Sequence, residues 1–349
     1  MRKAGNNPYS LTFGKEPYKL ISRAHEISRI TDTFSSATPS SAVYIITGVR
    51  GSGKTVTMAA IADKLRADSE WIVVTLNPNR DLLDSLAANL YEEPALKAGF
   101  IKADISVSFG IGGTLREDGP SADVEVQLKK MLSVIKKKKK RVLIAIDEAT
   151  NSKNFRVFAS AYQMFLIEKY PVFLLMTGLY NNIRSLQNEK NLTFLYRAPK
   201  YELEPLNVLA MSNSYMETLK LEREESDRMA KLTKGYSYAF QVLGYLKYST
   251  GKKLDELLDD FDEIMFEYSY EKIWSELSAR ERDVVKTLVK SESGRMKVKD
   301  IIDNTGLTTQ SFPTYRKRLG GSGVISISEY GYCELALPRF KEIVGRWLD

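Results

Sequence analysis

One run in this sequence specifies chemistry by its residue types and spacing alone: Gly48-Val49-Arg50-Gly51-Ser52-Gly53-Lys54-Thr55, which fits G-x-x-x-x-G-K-[ST]. Glycines at these intervals let the backbone curl until successive N–H groups point at a bound phosphate. A helix beginning at the same point adds positive potential. The backbone of Gly48, Arg50, Gly51, Ser52 and Gly53 is therefore expected to cradle the phosphates of ATP or ADP. Lys54 is expected to reach the β- and γ-phosphates, and the Thr55 hydroxyl to ligate Mg²⁺.

A second constellation completes that chemistry. Val142-Leu143-Ile144-Ala145-Ile146 is an apolar strand ending in two acids, Asp147 and Glu148. Asp147 suits the Mg²⁺ shell, and Glu148 suits orienting or deprotonating an attacking water. A glutamate in that role favours hydrolysis over phosphoryl transfer to a small hydroxyl substrate, so a small-molecule kinase is a poor fit. Thr177 closes another apolar strand and is expected to hydrogen-bond the γ-phosphate or the water. Arg197 has two readings, a surface ion pair or stabilisation of transition-state charge on a neighbouring subunit.

Such residues work only if strands and helices bring them to one edge. Over 1–205, apolar runs at 42–47, 71–76, 141–147, 171–177 and 200–206 read as strands. Between them lie helical patterns at 53–68, 80–92, 124–139, 154–169 and 180–195. Continuous apolar strands alternating with helices predict a parallel sheet covered on both faces, an α/β fold. The phosphate loop then falls between the first strand and the first following helix, where its mechanism needs it.

Composition removes other chemistries. The 349 residues include one cysteine, Cys333, and one histidine, His25, which excludes disulfide frameworks, thiolate metal sites and His-rich metal centres. The start of the chain has no signal-peptide core, and no apolar run approaches the roughly 18 residues of a membrane span. A cytoplasmic protein with no membrane partner is the expectation. The formal charge of +7 divides as +8 over 1–205, −4 over 206–274 and +3 over 275–349. Lysines 136–140 and Arg141 form the one low-complexity tract, accounted for by the preference for cations at a helix C-terminus.

The chain resembles AAA+ ATPases of the origin-recognition and initiator type and the related archaeal and STAND-like signalling P-loop ATPases, among them bacterial ATP-binding proteins of that group. The resemblance is carried by Ile21-Ser22-Arg23 with Glu26, the loop 48–55, Asp147-Glu148, Thr177, Arg197, Leu203-Glu204-Pro205-Leu206, and Lys234 to Gln241. It implies three parts: an ATPase core over 1–205, an α-helical lid over 206–274 and a winged helix-turn-helix domain over 275–349. It also implies that Ile21 and Arg23 line the adenine pocket. Initiators place an arginine just after the lid glycine, and signalling relatives a proline. Here Gly235 is followed by Tyr-Ser-Tyr-Ala-Phe, so neither γ-phosphate-sensing device is evident, and slow turnover is expected.

The last 75 residues can be read without the resemblance. Ser278 with Glu281 forms a capping box before a helix, and Gly306 stops a second helix. A third contains Pro313, and two alternating strands flank Tyr330-Gly331. In a winged helix the third helix enters the major groove of duplex DNA. Thr309, Gln310, Ser311 and Thr314 are then expected to face bases, and Arg316, Lys317 and Arg318 to contact phosphate. Two functions follow from the whole. One is an ATPase that couples nucleotide state to DNA binding. The other is a nucleotide-gated signalling switch, homo-oligomeric or protein-bound, whose winged helix docks protein or clamps the core.

Overall fold

The computed structural model describes residues 7–11, 23–103, 105 and 124–347. They fall into two compact units, one made of Arg23–Thr47 and Thr57–Glu202, the other of Gly48–Val56 and Leu203–Asp349 with the N-terminal segment. Among the described residues, no helix is long and apolar enough to cross a membrane.

The first unit is built on the expected parallel sheet, in the order β2-β3-β4-β1-β5. Its strands are β1 (Val43–Thr47), β2 (Trp71–Leu76), β3 (Arg141–Ile146), β4 (Val172–Gly178) and β5 (Lys200–Glu202). Its helices are α1 (Ala24–Ser35), α2 (Lys54–Arg66, from Thr57 onward in this unit), α3 (Leu82–Glu92), α4 (Pro94–Lys102), α5 (Val124–Lys137), α6 (Lys153–Ile167), α7 (Tyr180–Gln187) and α8 (Thr193–Arg197). The inner strands are buried on both faces, which is why they read as unbroken apolar runs. On one face Ile45, Ile144 and Leu174 join a core with Leu86, Leu132 and Phe158 of α3, α5 and α6. On the other, Phe34 of α1 packs its ring against Tyr44, Trp71 and Phe173.

Several boundaries differ from the sequence pattern for identifiable reasons. The helix expected from 80 starts at Leu82 because Asp81 caps it, accepting the N–H groups of Leu83 and Asp84. Glu93 caps and Pro94 opens α4, a helix the pattern did not suggest. The expected helix over 180–195 is broken into α7 and α8, and β5 pairs over three residues only. Pro205 has no N–H to extend that strand.

The second unit holds α9 (Val208–Leu219), α10 (Arg223–Leu232), α11 (Ser237–Thr250), α12 (Leu258–Met265), α13 (Glu271–Glu276) and α14 (Ala279–Lys290). It continues with β6 (Arg295–Lys297), α15 (Val298–Thr305), α16 (Phe312–Gly321), β7 (Ile325–Ser326), β8 (Tyr332–Leu335) and α17 (Phe340–Trp347). The strands form an antiparallel sheet in the order β6-β8-β7, one strand more than the alternation suggested. Buried side chains from Leu206 to Val344 form one continuous core, so the expected cut at 275 falls inside shared packing. Tyr9, from the N-terminal segment, is buried in it against Tyr215, Phe240 and Gly244.

The acidic run 256–268, whose pattern reads as a charged helix with one apolar face, is not one continuous α-helix. It divides into a 3₁₀ turn (Leu254–Leu257), α12 and a π turn (Phe266–Tyr270). Asp262 on α12 is fully buried and receives both ends of the Arg339 guanidinium, at 2.5 and 2.6 Å. That bidentate pair joins the helical segment to the residue just before α17.

Candidate functional site

The acid pair is positioned by sheet register. Ile146 of β3 lies beside Met176 of β4, which brings Asp147 next to Thr177 at the carboxyl edge. The Thr177 hydroxyl donates to Asp147 Oδ1 and accepts the Glu148 N–H at 3.2 Å. The same N–H lies 3.1 Å from Asp147 Oδ1. Thr177 is 0% exposed, and its hydroxyl is engaged with the acid pair. Glu148 stands in left-handed conformation (φ 52°), costly for a residue with a Cβ, with its side chain exposed. Thr177 and Asp147 thus hold a strained residue whose carboxylate is presented outward.

The phosphate loop belongs to the other unit. Gly51 (φ 77°) and Gly53 (φ 92°) make the curl, and α2 begins at Lys54. The buried Lys54 ammonium donates to the loop's own carbonyls, Gly48 O at 3.1 Å and Val49 O at 2.8 Å. Thr55 is half-buried in the first turn of α2, and Ser52 is buried. Arg50 pairs with Glu276 at 3.4 Å.

The loop is backed by residues far away in sequence. Tyr236 Oη donates to Arg50 O, Tyr238 N to Gly51 O at 3.1 Å, and Ser237 Oγ to Ser52 O at 3.1 Å. A Cβ on Gly51 would run into the Tyr236 hydroxyl, and a Cβ on Gly323 into Val49. The sequence marked 234–241 as a lid segment without its usual sensing residue. Nothing in its pattern disclosed that it grips the loop, because the partners lie 186 positions apart.

Of the remaining expected residues, Ile21 lies outside the described residues, and Arg23 approaches Glu26 at 4.0 Å at the start of α1. His25 and Arg197 are exposed, Arg197 as the last residue of α8. The basic tract is partly absorbed by structure: Lys140 donates to Ser69 O at 2.6 Å and Arg141 to Ser36 O at 2.9 Å.

In the C-terminal module Thr309, Gln310, Thr314, Lys317 and Arg318 are exposed, on α16 and the turn before it. Ser311 is engaged locally: it exchanges hydrogen bonds with Thr308, each N–H donating to the other's hydroxyl at 3.1 Å. Arg316 differs from the expectation of a phosphate contact. It is half-buried and donates to the carbonyls of Ile327 at 3.3 Å and Tyr332 at 3.4 Å, tying α16 to the hairpin. Tyr330 at the hairpin tip is 99% exposed, while Arg295 sits over the Tyr332 ring at 4.4 Å. Cys333 is buried, and burial pushes its thiol up, despite a hydrogen bond with Arg316 that lowers it.

A parallel sheet of this order, a glycine-rich phosphate loop and an acid pair ending a central strand define a P-loop ATPase. The chain belongs to the family described as an ATPase domain predominantly from Archaea, whose model matches residues 20–196. A domain of unknown function matches residues 267–344. No curated protein matches the chain. Among solved structures the fold is similar to that of the Aeropyrum pernix ORC2 protein. Its ADPNP-ADP complexes show 14% identity, cover 96% of each chain and give a TM-score of 0.60. Its ADP form also shows 14% identity, with 96% of this chain and 95% of that chain covered and a TM-score of 0.50. At such identity the likeness is one of fold.

Proposed function

We propose that this ATPase hydrolyses Mg²⁺-ATP in the cytoplasm and couples its nucleotide state to duplex DNA through residues 275–349, read as a winged helix. The observation that carries the hydrolytic half is the exposed Glu148 carboxylate, on a strained residue braced by Asp147 and Thr177. In this reading Lys54 leaves the Gly48 and Val49 carbonyls for the phosphate oxygens, and Glu148 accepts a proton from the attacking water. Thr55 and Asp147 are the proposed metal ligands. A hydroxyl and a carboxylate are the hard oxygen donors that Mg²⁺ takes alongside substrate phosphates. When bound, Mg²⁺ neutralises charge on the transferring phosphoryl group. Arg197 is a candidate for acting on the nucleotide of a neighbouring copy.

Supporting the DNA half is the exposure of Thr309, Gln310, Thr314, Lys317 and Arg318 on and before α16. The test is ATP turnover with and without duplex DNA, in wild type and Glu148→Gln, together with anisotropy titrations at several salt concentrations. DNA-stimulated turnover that the substitution abolishes, and affinity falling with salt, are expected. Absence of salt-dependent binding would sink the DNA half.

The second reading, a nucleotide-gated switch, is favoured by the contact of Val49 in the phosphate loop with Gly323 beyond α16. It expects different X-ray scattering profiles with ADP and with an ATP analogue, and identical profiles would count against it.

A further inference from the structure

The loop that binds phosphate is held from behind through three consecutive carbonyls, those of Arg50, Gly51 and Ser52. Three consecutive residues, Tyr236, Ser237 and Tyr238, supply the donors. A carbonyl and the next N–H point opposite ways across a trans peptide. Drawing the Arg50 and Ser52 carbonyls toward the start of α11 therefore turns the Gly51 and Gly53 N–H groups the other way. We propose that Tyr236, Ser237 and Tyr238 are positioning residues for nucleotide: they set the curl of the phosphate loop from behind, in place of a lid side chain that senses phosphate directly.

Three further observations fit this role. Tyr236 is 6% exposed, and burial pushes its hydroxyl far up, so it stays a proton donor at any physiological pH. The Arg50 carbonyl can only accept, so the single Tyr236 proton goes there. Ser269 Oγ, 2.9 Å away, must then donate to Tyr236. Gly51 has no room for a Cβ on the side where the Tyr236 hydroxyl lies. A glycine-rich loop has more freedom to lose on binding than any other kind of segment, and a loop already held loses less.

The test compares two substitutions of the same chemistry in the same core. Tyr236→Phe removes the hydroxyl on Arg50 O. Tyr215→Phe removes a buried hydroxyl that donates to Phe240 O at 2.8 Å and does not touch the loop. Dissociation constants for ADP and a non-hydrolysable ATP analogue are measured, with KM, kcat and thermal unfolding of the nucleotide-free protein. Both variants should melt lower by similar amounts. Tyr236→Phe alone should raise both dissociation constants and KM about three- to tenfold, the factor set by one hydrogen bond of ordinary net strength. Its kcat should stay within about twofold. Ser237→Ala should move affinity in the same direction, and the double variant further. Nucleotide affinities unchanged in Tyr236→Phe, or shifted equally in Tyr215→Phe, would overturn the proposal while leaving the ATPase intact. A wild-type protein that binds no nucleotide would overturn both.

Discussion

The two halves of the proposed catalytic machinery are built in opposite ways. The acid pair is assembled by its neighbours: Asp147, Glu148 and Thr177 end adjacent strands, and register alone brings them together. The phosphate loop is assembled by strangers, since the groups holding its carbonyls come from residues 236–238. The first arrangement tolerates change elsewhere in the chain as long as β3 and β4 stay paired. The second makes the loop's conformation depend on the whole helical unit. One half of the chemistry is thereby insulated, and the other is open to influence from distant packing.

The comparison can be broken most directly at Glu148. Glu148→Gln should cut ATP turnover about a thousandfold while leaving nucleotide affinity unchanged, measured by phosphate release and equilibrium titration. A parallel loss of affinity would mean that the halves are not separable. Next in size is Arg339→Ala, which leaves the buried Asp262 carboxylate without its bidentate partner. It should destabilise the loop-bearing unit by about 3 kcal/mol in denaturant titration. A loss under about 1 kcal/mol would mean that Arg346, 3.9 Å from Asp262, suffices.

Thr177→Val keeps the shape of a fully buried residue and removes the hydroxyl that orients Asp147. Turnover should fall about tenfold with nucleotide affinity held. An unchanged rate would show that register without the hydroxyl is enough.

The smallest effect at neutral pH, but one that separates the units, comes from buried tyrosines. Burial raises Tyr9, Tyr215, Tyr236, Tyr238 and Tyr270 in the loop-bearing unit, Tyr238 to about 12, and Tyr162 and Tyr201 in the sheet unit. Folded hydroxyls that titrate above their unfolded value contribute stability below about pH 10, and that contribution is lost as pH rises past it. With more such groups, the loop-bearing unit should loosen first in alkali. Tyrosinate absorbance and circular dichroism followed together would show this, and simultaneous loss of both units would contradict it.

Much of the sheet was legible because buried parallel strands announce themselves as apolar runs. The Ser278–Glu281 capping box and the Gly306 stop (φ 65°) were equally plain, since each depends on residues within one turn. β6 escaped because a three-residue strand with exposed ends has no alternation to read, and only β8 gives it partners. Arg316 looked like a phosphate contact because charge in a sequence does not reveal direction. Its partners are carbonyls of the hairpin.

The sequence by itself determined the chemistry: a phosphate loop with Lys54 and Thr55, and two acids closing an apolar strand, with His and Cys too scarce for other routes. These are local patterns whose meaning lies in residue type and spacing. Tertiary structure decided what holds them. Thr177 turns inward to Asp147, and Tyr236 to Tyr238 grip a loop most of the chain away. Such contacts are set by packing between elements distant in sequence, and residue spacing along the chain carries no record of that distance.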